Sequence, residues 1–106
     1  MAGFIEGRVV PVQQDQLQAY HVYVSGKVQG VYYRASTAKK AQLLGLSGWV
    51  KNLTDGRVEL FAQGPVESLE QLLSWCQKGP ILAKISDIEY EMAQVDANMA
   101  QFEVMR

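Results

Sequence analysis

Residues 20–56 read YHVYVSGKVQGVYYRASTAKKAQLLGLSGWVKNLTDG, and the changes of period inside this stretch decide the fold. Over residues 20–25, Tyr20, Val22 and Val24 alternate with His21, Tyr23 and Ser25. A period of two predicts a strand with two different faces. A glycine-containing loop, residues 26–31, interrupts it. Residues 33–44 then follow a helical period, with Ala38, Ala41, Leu43 and Leu44 assigned to the inner face and Lys39, Lys40 and Gln42 to the outer one. Gly45 stands where a left-handed C-terminal cap is expected. Two strands follow, residues 47–53 and 57–63. Between them Asp55-Gly56 predicts a two-residue type I′ turn.

Outward from this stretch the pattern repeats in shorter form. Pro65 is expected in the first turn of a second helix, in which Val66, Leu69, Leu72, Leu73 and Cys76 recur at helical spacing. Gly79-Pro80 ends it. Residues 81–90 read as a strand whose alternation slips between Ile85 and Ile88, as a β-bulge would make it do. Phe102 and Val104 mark a short last strand. The order is therefore βαββαβ plus a C-terminal strand. This is the α+β, ferredoxin-like arrangement: an antiparallel sheet with both helices on one face. Many functions use that fold, so the site must decide.

The 106 residues suit one domain, expected over residues 19–106. Residues 1–18 differ in composition, with a Val cluster broken by Pro11 and four glutamines after it. They are expected to be a disordered extension or an expression scar, and Ile5-Glu6-Gly7-Arg8 resembles a factor Xa cleavage sequence. A net charge of −1 argues against a protein built mainly to hold nucleic acid. One cysteine, Cys76, and one histidine, His21, give no paired-ligand metal spacing. No apolar run reaches membrane-spanning length and no leader is visible. The expectation is a cytoplasmic monomer without metal or cofactor, acting on neither membrane nor nucleic acid.

The segment with chemical content is Gly26-Lys27-Val28-Gln29-Gly30-Val31-Tyr32-Tyr33-Arg34, between a strand and a helix. Gly26 and Gly30 permit backbone turns that aim several N–H groups at one point. The helix N-terminus adds unpaired N–H groups and partial positive charge. Arg34 adds a planar charged fork that matches phosphoryl oxygens. From the residues alone two readings remain open: a phosphate site, or a glycine-containing connection beside a surface arginine.

GKVQGVYYR, then AQLLGLSGWVKN, then DGRVE, with the later GPVESLEQLLSWCQKGPILAKI and closing FEVMR, resemble the acylphosphatase family over residues 20–106. The resemblance implies hydrolysis of the carboxyl–phosphate anhydride of small acyl phosphates, with inorganic phosphate as product and inhibitor. It implies that Lys27, Val28, Gln29, Gly30 and Val31 form the phosphate cradle and that Arg34 is the catalytic arginine holding the phosphoryl group. It also implies that Asn52 is the catalytic asparagine that positions the attacking water. Tyr32 and Tyr33 stand where the family has aromatics, often phenylalanine.

His21 reads better as structural or solvated than as catalytic, Cys76 as a small core residue rather than a nucleophile, and Asp55 as a turn residue rather than an acid. Trp49 and Trp75 read as core or half-buried aromatics. Lys27 and Lys51 are candidates for raising the local potential. Two rival readings stand beside the enzyme. One is a nucleic-acid-binding ferredoxin-like module using Tyr20, Tyr23, Trp49 and Phe61 as stacking platforms. The other is a non-catalytic anion-binding domain, against which the presence of Asn52 beside Arg34 speaks.

Overall fold

The alternation at residues 20–25 becomes a central strand. The computed structural model describes residues 17–106, in which Leu17 and Gln18 already belong to that strand. The extension expected at residues 1–18 otherwise lies outside the described residues. In chain order the elements are β1 (Leu17–Lys27), α1 (Tyr33–Leu43), β2 (Ser47–Asn52), β3 (Val58–Pro65), α2 (Val66–Cys76), β4 (Lys84–Ala93) and β5 (Phe102–Val104). The sheet order is β4-β1-β3-β2-β5. The four long strands pair antiparallel, whereas β5 lies parallel to β2 at the edge, so the sheet is mixed. Gln63 fixes the approach to β5: its side chain donates to the Asp96 carbonyl at 2.8 Å and accepts from the Asp96 N–H at 2.7 Å.

Helix α1 rests on β2 and β5, α2 rests on β1 and β3, and the two helices touch each other. Between them and the sheet lies the core. Val22, Val24, Val50 and Leu60 rise from the strands to meet Ala38, Ala41, Leu69, Leu72 and Cys76. Tyr33 is buried at the start of α1, and its hydroxyl donates to the Cys76 carbonyl at 2.8 Å, tying the helices together. Burial pushes the Tyr33 phenol well above its ordinary range.

Four local expectations need correction. The buried stripe of α1 runs through Tyr33, Thr37, Ala38 and Ala41, while Leu43 is 76% exposed. At about 100° per residue Leu43 falls far from Ala41, and a leucine label alone does not place it inside. The β2–β3 turn is not type I′. Its N–H···O bond runs from Gly56 to Leu53 (3.2 Å), so Thr54 and Asp55 are the central residues, and neither has positive φ. Gly56 (φ 95°) takes the left-handed place after them, giving a three-residue loop. Asp55 helps to hold it, accepting from the Arg57 N–H at 3.1 Å and from Arg57 Nε at 2.9 Å. That N–H first, and the guanidinium after it, keep the Asp55 carboxyl below its usual range. Pro65 caps α2 from an extended conformation and lies just outside its first turn.

The fourth correction is one of boundaries: β4 runs over Lys84–Ala93, beginning and ending three residues later than expected. The slip inside it is a register shift. Ser25 faces Asp87 and Gly26 faces Ile85, so Ser86 is the extra residue that returns Ile85 and Ile88 to the core side. At the other end of the first helix Gly45 (φ 75°) occupies the expected left-handed position.

Cys76 is fully buried, and burial pushes its thiol up to about 12. Alkylation should therefore require unfolding. A thiol reagent is expected to label the native protein at least about 10³-fold more slowly than the urea-unfolded chain, given a stability of about 5 kcal/mol or more. Labelling at comparable rates would place Cys76 on the surface.

Candidate active site

Strand pairing brings the site together. On β3, Val58 faces Val24 of β1 on one side and Asn52 of β2 on the other. Strands β1 and β2 both run antiparallel to β3, so they are parallel to each other and end at the same edge of the sheet. The loop after β1 and the last residue of β2 therefore lie side by side. Strand β5 arrives at that edge too, with Val104 facing Val50 and the Met105 N–H donating to the Val50 carbonyl at 2.8 Å.

At this edge a cavity of about 330 Å³ is lined by Val28, Gly30, Tyr32, Tyr33, Arg34, Ala35, Asn52 and Val104. Arg34 and Asn52, distant in sequence, share it. Val28 and Val31 bury their side chains and anchor the loop, although only Val28 also lines the cavity. Among the described residues, no N–H from Val28 to Ala35 donates to a backbone carbonyl. The first helical bond runs from Ser36 N–H to the Tyr32 carbonyl at 3.0 Å. Helix α1 has no side-chain cap and no acidic residue in its first turn. The result is a cluster of unengaged donors at a positive helix end, which suits a small anion.

The loop reaches this shape through left-handed backbone. Gly30 has φ 77°, and a Cβ added there would meet no atom within 4 Å. Its requirement is conformational, not the crowding of a packed neighbour. Tyr32 holds φ 66° without being glycine, while its side chain is 76% exposed. An exposed non-glycine residue in the left-handed region carries strain at the entry to α1.

Arg34 is half-buried, and its Nη1 donates to the Met105 carbonyl at 2.8 Å. Arg34 lines the cavity, and no carboxylate among the described residues pairs with it. Asn52 supplies a second unusual group: its Oδ1 is buried and accepts no hydrogen bond. A buried acceptor without a partner costs about 1–3 kcal/mol and persists where function uses it.

The other sequence candidates lie elsewhere. Lys27 is exposed at the end of β1, opposite Lys84, and does not line the cavity. Gln29 sends its side chain to the β2–β3 hairpin, bonding the Leu53 and Arg57 carbonyls. Lys51 lies 3.7 Å from Glu59 and over the Trp49 ring, on the sheet face opposite the helices. His21 bonds Glu59 on that same face, beside Tyr23 and Trp49, and is not part of the cavity. Burial first, then the Glu59 carboxylate, raise the Tyr23 phenol above its usual range. Tyr23, Trp49 and Phe61 do share this open face, but Tyr20 meets Tyr90 edge to face on the other side. A carboxylate among the aromatics makes the face a poor platform for phosphodiesters. Sequence reading missed Val104 and the Met105 carbonyl, because nothing in FEVMR says which strand it joins.

The family profile described as Acylphosphatase matches residues 20–104. A protein named acylphosphatase from Methylococcus capsulatus is 50% identical over 90 residues, covering 85% of this chain and 98% of that protein. The solved structure of an acylphosphatase from Coxiella burnetii superposes with a TM-score of 0.83 at 42% identity, covering 91% of this chain and all of that one. The acylphosphatase from Bacillus subtilis gives a TM-score of 0.81 at 32% identity, covering 84% and 99% of the two chains.

Because Gly30 has open space but positive φ, Gly30→Ala should leave the fold intact and cost about 1–2 kcal/mol, the left-handed penalty of a β-carbon. Urea denaturation measures it. A loss several times larger would show a packing role that the open surroundings exclude.

Proposed function

The chain belongs to the acylphosphatase family and is an acylphosphatase, and from that premise we propose how its own residues carry out the hydrolysis. The substrates are small acyl phosphates. The loop N–H groups and the first turn of α1 hold the phosphoryl oxygens. Arg34 binds two of those oxygens and stabilises charge as it redistributes. Asn52 positions the attacking water, which donates a hydrogen bond to the buried Oδ1. The observation that carries this reading is the meeting, in one cavity beside unengaged N–H groups, of an unpartnered buried amide oxygen and a guanidinium with no carboxylate partner among the described residues.

The step balances without further groups. The water oxygen forms a bond to phosphorus as the bond from phosphorus to the acyl oxygen breaks. The carboxylate leaves with that bonding pair. An amide is no general base, so a phosphoryl oxygen takes the water's proton and the product is dihydrogen phosphate. A carboxylate is a good leaving group, so placement and charge stabilisation do most of the catalysis. This chemistry calls on no cofactor or metal. Inorganic phosphate, as product, competes for the same cradle. The reading further takes the protein as a cytoplasmic monomer. The buried free thiol of Cys76 suits a reducing compartment.

Two substitutions separate binding from placement. Arg34→Ala should nearly abolish both turnover and inhibition by phosphate, because charge-assisted bonds are worth about 1.5–3 kcal/mol each. Asn52→Ala should lower kcat by a factor on the order of 10²–10³ and leave the phosphate inhibition constant nearly unchanged. Hydrolysis of an aryl acyl phosphate, with phosphate titrated as inhibitor, reads both constants. Near-parent turnover in Arg34→Ala would refute the assignment.

A further inference from the structure

Gln29 stands in the middle of the cradle loop, yet its side chain is not among the groups that line the cavity. Its Nε2 donates to two carbonyls at once, Leu53 at 2.8 Å and Arg57 at 2.9 Å. Those carbonyls belong to the pair that closes the β2–β3 hairpin, and Leu53 is the residue directly after Asn52.

The hairpin does not need Gln29 for its own closure. The Leu53 N–H already donates to the Arg57 carbonyl at 2.8 Å, and the Gly56 N–H to the Leu53 carbonyl at 3.2 Å. Gln29 uses the second lone pair of each carbonyl. What these two bonds add is a link between parts distant in sequence: the loop that holds the phosphoryl group and the strand end that carries Asn52. The chemistry also specifies the residue. A primary amide offers two neutral N–H donors from one atom, where a glutamate would repel both carbonyls.

We propose that Gln29 is a positioning residue for acyl phosphate hydrolysis, a strut that sets the distance between the phosphate cradle and the Asn52 amide. The inference rests on the roles given above to the cradle and to Asn52. A water held by Asn52 Oδ1 attacks productively only when it stands in line with the breaking bond, and displacements on the order of 0.5–1 Å are costly. Gln29 keeps that water and the phosphorus in one frame without touching either.

The test is a double-mutant cycle with Gln29→Met, which keeps the length and apolar stem and removes both donors. The single variant should lower kcat by a factor on the order of 10–10² while the inhibition constant of inorganic phosphate moves less than about twofold. In an Asn52→Ala background the same substitution should have almost no further effect on kcat, because it acts through Asn52. An effect of undiminished size in that background would mean general destabilisation and overturn the proposal. A phosphate inhibition constant that worsens in step with kcat would make Gln29 a phosphate ligand and overturn it as well. So would an unchanged kcat in Gln29→Met. If Gln29→Met does not fold, Gln29→Asn makes the same comparison, since it keeps the donors but shortens the reach by one methylene. Asn52→Ala alone reports separately: parent-like kcat there removes the role of Asn52 itself.

Discussion

Val58 is held between two neighbours, Val24 on one side and Asn52 on the other, and this register is the constraint on which the site depends. A slip of one residue in either pairing would turn every side chain of that strand to the opposite face. It would also carry Asn52 away from the cradle. The register is strongly specified because the same pairings bury Val22, Val24, Val50 and Leu60 under the helices. Core packing and the placement of Asn52 are therefore enforced by the same hydrogen-bond ladder.

The site solves an electrostatic problem by local means. A chain with net charge −1 has no global field to attract a phosphorylated substrate. In the mechanism proposed above, the attraction comes from unengaged N–H groups, an uncapped helix start and one guanidinium, all at the edge where β1, β2 and β5 end. Among the described residues the most enclosed carboxylate, Glu59, lies on the opposite face of the sheet, with His21, Tyr23 and Lys51 around it. That separation keeps a negative charge out of the cavity. Strain at Tyr32 and the orphaned Asn52 oxygen are tolerated there because a well-packed core over-determines the loop.

Much of this was legible beforehand where a local rule decides. Alternation at residues 20–25 gave the central strand, alanine spacing gave the inner face of α1, and the slip between Ile85 and Ile88 was a real bulge. GKVQGVYYR held the loop, the helix start and Arg34 in one run. Errors arose where a label stood in for geometry. Leu43 is apolar but lies off the buried stripe, and Asp55-Gly56 suits a primed turn that the three-residue loop did not adopt. Lys27 and Gln29 fall inside the cradle in sequence but turn their side chains elsewhere, since alternate loop residues cannot all face one point.

Which elements form, in which order, and which residue types are available for the chemistry follow from the order of amino acids alone, because period, glycine placement and charge act over a few residues. Tertiary structure alone decided that Arg34, Asn52 and Val104 share a cavity, that β5 joins β2 in parallel, and that Gln29 grips the hairpin instead of lining that cavity. Those facts depend on strand order and register across the sheet. Contacts between residues far apart in the chain leave no periodic trace in either partner's neighbourhood, so only the folded geometry specifies them.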